Sequence, residues 1–248
     1  MILRRLAEAI KRQNWFVVFI EVLVLVVGIF IGLQVDDWNQ LRKDRVEERV
    51  YLEELLEDFE ANRTALLEST SDLEEIIPAM TALLEQSAMD TPDWSIGELN
   101  EAFSFIHYMP TFFPVERAFA NLTGSGDLKI IRNRDLKNAL AKYFSASELV
   151  ELVQNTHEME LVQTFQPYVI EHMDFQAVYR QRIEEFQLPL AVDESRLIEV
   201  LNTREFRNIL TQKWDICTDL LSQHRGMQVR TGEVIRFLET EIGKTGET

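Results

Sequence analysis

The sequence predicts an all-α protein: an N-terminal transmembrane helix continuing into a long helix, then an extracytoplasmic helical bundle. Three observations predict it. Residues 15–35 are almost free of charge, apolar residues fall at heptad spacing from Leu52 to Leu83, and no stretch alternates with a period of two. Glycine (9) and proline (6) are scarce for 248 residues, which argues against a sandwich or barrel built on many tight turns. Hydrophobic residues at 46% and charged residues at 27% exclude a disordered chain. With Lys+Arg 25 against Asp+Glu 42 the net charge is −17, which argues against a nucleic-acid partner, because phosphate needs a basic face. A single cysteine excludes an intrachain disulfide, a Cys-pair zinc site and a CxxC redox centre.

The first element runs from Trp15 to Val35 with one ionisable side chain, Glu21, and one amide, Gln34. About 20 apolar residues span a hydrocarbon core of ~30 Å. Trp15 and Trp38 bracket the run roughly 35 Å apart, suiting the two headgroup zones as interfacial anchors. The run exceeds the apolar core of a signal peptide and ends in Gln34-Val35-Asp36-Asp37-Trp38 without a small-residue cleavage pattern, so it reads as an uncleaved anchor. Basic residues flank both ends, Arg4, Arg5, Lys11 and Arg12 before it and Arg42, Lys43, Arg45 and Arg49 after it. Lys11 and Arg12 hug the first edge while Asp36 and Asp37 hug the second, which favours a cytoplasmic N-terminus. Residues 1–14 then form a cytoplasmic basic segment, either an amphipathic helix on an anionic leaflet or a frayed extension. Residues 36–248 carry nearly all the negative charge. Such an acidic domain is repelled by anionic headgroups and stands off the bilayer.

After the span, Leu52, Leu55, Phe59, Asn62, Leu66, Ser69, Leu73, Ile76, Met80 and Leu83 alternate steps of three and four. Carried backward, the register meets Trp38 and Leu41. The seam serves either a bundle within one chain or a coiled coil between copies. Pro78 ends or kinks this helix. Ser95-Ile96-Gly97-Glu98 is a capping box for a stretch to His107. Residues 108–114 form an irregular aromatic linker, Pro114 opens a helix over 114–123, and Gly124 stops it. Asn133 caps a helix running toward Gln166, Pro167 opens or kinks the next to about Phe186, and Asp193 caps a short helix over 194–201. A long helix over Thr203–Ile242 closes the chain, with Phe206, Ile209, Leu210, Trp214, Cys217, Leu220 and Leu221 inward.

The anchor carries a family resemblance. The segment from Glu21 to Asn39, EVLVLVVGIFIGLQVDDWN, resembles an uncharacterised family of bacterial single-pass membrane proteins, a domain of unknown function, whose members read G-E-I-x-L-V-x-I-G-I-x-I-A-L-Q-I-N-N-W-N. Glu21, Gly28, Gln34, Trp38 and Asn39 match without a gap; Ile20 replaces the leading Gly, Gly32 replaces Ala, and Asp36-Asp37 replace Asn-Asn. Tyr51-Leu52-Glu53-Glu54-Leu55, Leu122 to Ile131 and Glu205-Phe206-Arg207-Asn208 are similar to later stretches of the family. The resemblance implies a bacterial inner-membrane protein with a helical periplasmic domain. It supplies no catalytic residues and no cofactor.

Chemistry-bearing residues are few. Glu21, Gly28 and Gly32 are seven and then four residues apart and share one helical face, and Gly28–Gly32 is a GxxxG. A carboxylate at a helix centre costs about 2.5–3.5 kcal/mol on insertion scales. Glu21 therefore reads as a hydrogen-bonding group between helices, as a proton carrier, or as a side chain reaching back to the headgroups. With Gln34 this face is the candidate helix-packing surface, toward a second copy or another membrane protein. Phe103, Phe105, Phe112, Phe113 and Phe119 form a candidate ligand pocket around the linker. His107, His157, His172 and His224 show no metal-ligand spacing, and His157-Glu158-Met159-Glu160-Leu161 lacks the second histidine of HExxH. Gly124-Ser125-Gly126-Asp127 lacks the Lys-Ser/Thr of a phosphate loop, and Cys217 reads as core. No metal, no cofactor and no enzymatic activity are expected. The preferred function is a membrane-anchored scaffold; the alternatives are a periplasmic ligand-binding or sensory module, and a proton-coupled component using Glu21.

Overall fold

The computed structural model describes residues 15–173 and 195–246. It is helical throughout, with no strand among the described residues. The helices are α1 (Trp15–Ser87), α2 (Ile96–Ser104), α3 (Arg117–Ser125), α4 (Arg134–Glu160), α5 (Gln166–His172), α6 (Ser195–Leu201) and α7 (Arg204–Gly246). The chain divides into two units, residues 1–51 and 52–248.

The second unit is built on three seams. All ten heptad positions of α1 from Leu52 to Leu83 are buried within the single chain, so their apolar faces are already used. On α7 the same stepping buries Phe206, Leu210, Lys213, Cys217, Leu220, His224, Met227, Thr231, Val234 and Leu238. On α4 it buries Leu136, Leu140, Tyr143, Ser147, Val150, Gln154 and His157. Cross-links set the directions. Ser87 O accepts from Arg207, Thr81 from Trp214, and Ser69 faces His224, so α1 and α7 run antiparallel. Asn133 bonds Glu241 and His157 meets Lys213, so α4 is antiparallel to α7 as well. Phe59 of α1 packs on Tyr143 of α4 at 4.7 Å between ring centroids, closing the triangle.

Local signals set most boundaries. Ser95 caps α2 and Glu98 returns the bond, the predicted capping box. Asn133 caps α4 through Asp135 N–H and Leu136 N–H. Thr203 Oγ1 accepts from Phe206 N–H at the start of α7.

Two expectations are corrected and one is narrowed. Of the two outcomes expected at Pro78, an end to the helix is excluded, because α1 continues to Ser87. Pro78 and Glu74, whose carbonyl loses its donor, both lie on the exposed face, where water can take the missing hydrogen bond. Pro114 does not open a helix, because α3 starts at Arg117. Its cap comes from another helix: buried Asp58 of α1 accepts from Ala118 N–H at 2.7 Å and meets Arg117 at 3.2 Å. The stop is Gly126, at φ 79, rather than Gly124, because its N–H reaches the carbonyls of Leu122 and Thr123. After α4 a widened turn over Leu161–Phe165 precedes Pro167, which cannot donate to the α-ladder, and α5 ends at His172. The expected extension to Phe186 and the Asp193 cap lie outside the described residues.

The linker between α2 and α3 crosses the bundle as a strap. Its backbone would be left unpaired there, and two side-chain amides supply the partners. Gln154 accepts from Phe112 N–H (2.7 Å) and donates to Phe112 O (3.0 Å). Asn62 does the same for Val115, at 2.6 and 2.9 Å. This accounts for the polar residue in the α1 seam. Asn62→Leu perfects the heptad and orphans both Val115 groups; the expected result is a loss of about 2–4 kcal/mol in urea unfolding. A neutral or stabilising result would show that the strap is not held this way.

Candidate functional site

Two regions carry candidate chemistry, one in each unit. In residues 15–51, α1 holds Trp15, Glu21, Gly28, Gly32, Gln34 and Trp38 in one continuous helix. Every described side chain from Phe19 to Lys43 is exposed, Trp38 to 65%. A Cβ added at Gly28 or Gly32 would meet no heavy atom within 4 Å. This is the one helix among the described residues long and apolar enough to cross a membrane. The side chains of Trp15 and Glu21 lie outside the description.

The second region lies in the bundle, beneath the strap. Lys213 of α7 is completely buried, and its Nζ lies 2.5 Å from His157 Nε2 of α4. Burial pulls the Lys213 ammonium down to about 8, with Cys217 opposing. Burial, and then the Lys213 charge, hold His157 down to about 3, so its ring is neutral. A neutral ring accepting at Nε2 carries its hydrogen on Nδ1. That atom is buried and finds no partner among the described residues. His224, on the same face of α7, meets Ser69 through Nδ1 at 3.1 Å and is held down to about 4 by burial.

A cleft of about 350 Å³ opens between the strap and the C-terminal half of α4. Tyr108, Met109, Thr111 and Phe113 line one side; Gln154, Asn155, His157, Glu158 and Leu161 line the other. The Tyr108 hydroxyl donates to Asp72 at 2.8 Å, which together with partial burial raises the phenol.

The structure distributes the five phenylalanines. Phe103 packs on Phe206 at 5.0 Å, Phe119 stacks on Phe144 at 4.1 Å, and Phe112 lies edge-on to His224 at 6.1 Å. Phe105 is half-buried in the turn after α2, and exposed Phe113 alone lines the cleft. Cys217 is buried in the α7 seam. His172 lies against Tyr168 at 4.7 Å, and no group of three metal-ligating side chains occurs among the described residues.

Lys213 was not among the sequence candidates. Extending the step of four and three from Phe206 and Leu210 reaches both Lys213 and His224, so the signal was present in the register. Comparison of the chain with models of known families, with curated proteins and with solved structures returns no match.

Two outcomes are expected from this buried pair. In the unfolded chain both histidines titrate near 6.5, so below that pH the unfolded state binds more protons than the folded one. Stability should fall as pH drops from about 6.5 toward 4, by up to roughly 1.4 kcal/mol per pH unit for each histidine. His157→Gln with His224→Gln should flatten that slope in pH-dependent urea unfolding; an unchanged slope refutes neutral burial. Lys213 has its pKa lowered in the fold, so its charge costs stability at neutral pH. Lys213→Met should raise the unfolding free energy by about 1–3 kcal/mol. A lower melting temperature would mean that the ammonium holds the core together.

Proposed function

We propose that this protein is a membrane-anchored helical scaffold or interaction protein. Residues 15–35 cross a bacterial inner membrane, with the N-terminus cytoplasmic and the bundle periplasmic. The face made by Glu21, Gly28, Gly32 and Gln34 assembles it with a second copy or another membrane protein. The observation that carries this reading is the exposure of the apolar stretch. Phe19 to Val35 presents large aliphatic and aromatic side chains with none buried, a cost of ~25 cal/mol per Å² in water that lipid removes. Within lipid the hydrophobic effect no longer drives helices together, so association depends on close backbone approach and hydrogen bonds. The open space at Gly28 and Gly32 allows that approach.

Gly28→Ile with Gly32→Ile is expected to lower association of the full chain at least several-fold, read by crosslinking in membranes or by a bacterial two-hybrid assay. Glu21→Gln is expected to leave association mostly intact, because the amide still bonds across helices. Unchanged association in the double glycine variant counts against the reading. Glu21→Gln that assembles but abolishes a cellular phenotype would favour proton coupling instead.

A further inference from the structure

We infer that the contact between Lys213 and His157 is an acid-operated latch: at neutral pH it holds the end of α4 in the bundle, and acid opens it, freeing Leu161–His172 while the three seams stay packed. Lys213 Nζ and His157 Nε2 stand 2.5 Å apart with both side chains buried. Two nitrogens at that distance share one hydrogen, whichever of them carries it. A second proton on the pair makes two cations, each only a donor, face one another in an apolar seam. The contact then repels, and the two groups are relieved only by reaching water. Among the described side chains, the other titratable groups around the pair are Cys217 on α7, Glu158 and Glu160 on α4, Tyr168 and His172 on α5, and Tyr108 on the strap, bonded to Asp72 of α1. Lys213 is the one charge that shifts His157, and it acts against a second proton.

The pair is the last polar tie between α4 and α7. Toward the start of α4, Asn133 bonds Glu241, Tyr143 packs on Phe59, and Gln154 holds both backbone groups of Phe112. Beyond His157 the helix widens over Leu161–Phe165 and meets Pro167, which donates nothing to the ladder. Among the described residues, Tyr168 to Thr203 at 3.4 Å is the hydrogen bond that joins Leu161–His172 to another element. The rest of its hold is apolar: Phe165, Tyr168 and Val169 are buried, and the Phe165 ring lies 6.3 Å from that of His157. A segment with so few ties opens separately from the core. His224 is placed differently. It meets Ser69 within the α1–α7 seam, so its protonation strains the whole bundle rather than this end. The opened segment takes up a proton that the closed one excludes, so opening is favoured as pH falls below 6.5. With His157 at 6.5 when open and about 3 when closed, opening rises about 25-fold from pH 7 to pH 5.

Nothing in this latch depends on the transmembrane face. The test is hydrogen–deuterium exchange of the full chain in nanodiscs at pH 7 and pH 5, read by mass spectrometry and corrected for intrinsic rates. Peptides from Leu161–His172 should be less protected than those from the α1 seam at both pH values, and should lose at least tenfold in protection at pH 5. His157→Gln keeps an acceptor for Lys213 and takes up no proton, so it should abolish that loss, while His224→Gln should leave it. If His157→Gln lacks the native circular dichroism spectrum, His157→Leu with Lys213→Met makes the pair apolar and should abolish the loss as well. Exchange through global unfolding alone would show equal protection of the segment and the α1 seam, with both histidine variants reducing the pH response alike. That result, a segment equally protected at pH 7 and pH 5, or a loss that persists without His157 would overturn the proposal.

Discussion

Antiparallel packing of α7 against α4 on one side and α1 on the other is the arrangement on which the bundle depends, and its polar positions are what make it specific. A purely apolar heptad seam slides by seven residues at little cost. Here Ser69 meets His224 inside the seam, and Gln228 reaches Thr70 and the Leu66 carbonyl beside it. A slip of one heptad in one direction would set the His224 imidazole against Ile76, with no acceptor or donor, and in the other against Asn62, whose amide is already bonded to Val115. Burying an unmatched polar group costs more than a matched one contributes, so such pairs act mainly against wrong registers. Arg225 with Glu74 and Trp214 with Thr81 repeat the same alignment at the rim, where the energies are smaller.

The strap follows from that register. Three long helices leave a groove, and the strap between α2 and α3 lies across α1 and α4, with no helix over residues 109–115. Backbone groups in such a position need partners, and the two helices offer an amide each. Asn and Gln are suited to this because one side chain both donates and accepts, as a neighbouring peptide would. Asp58 continues the pattern by capping α3 from a distance where Glu116, at the local cap position, makes no side-chain bond. The same helix face that forms the core therefore also places the linker, and with it the mouth of the cleft.

Much of this was legible in the order of residues, and the failures share a cause. Period and caps are local, and local signals read well: the α1 seam, the Ser95 box, the Asn133 cap and the position of α7 all follow from neighbours in sequence. The start of α3 departs from Pro114 because its partners, Asn62 for Val115 and Asp58 for Ala118, come from more than fifty positions away, whereas the stop at Gly126 instead of Gly124 is a local choice between two nearby glycines. The inner face of α7 was taken from its apolar residues alone, which admitted Ile209, Trp214 and Leu221, all half-buried, and passed over Lys213 and His224, both fully buried. Geometric register, not side-chain polarity, selected the interior. The α4 seam was missed for the same reason, since Ser147, Gln154 and His157 interrupt its apolar positions.

Two demands on solvent meet in α1. From Leu52 onward its apolar side chains satisfy themselves inside the chain. From Phe19 to Val35 they do not, and nothing within that unit covers them. The composition changes accordingly: the first part is apolar on all faces, while the second gathers its fully buried apolar residues on one stripe and places most of its Glu, Asp and Arg on the others. A helix apolar all round is stable only where every direction is apolar, and a striped one only where one direction is. The bundle encloses a lysine, Lys213, in its apolar seam, whereas the apolar side chains of the first unit have no internal partner. The two parts therefore break their apolar pattern in different ways: the bundle holds a polar pair inside an apolar seam, and the first unit leaves small residues, Gly28 and Gly32, open on an apolar face.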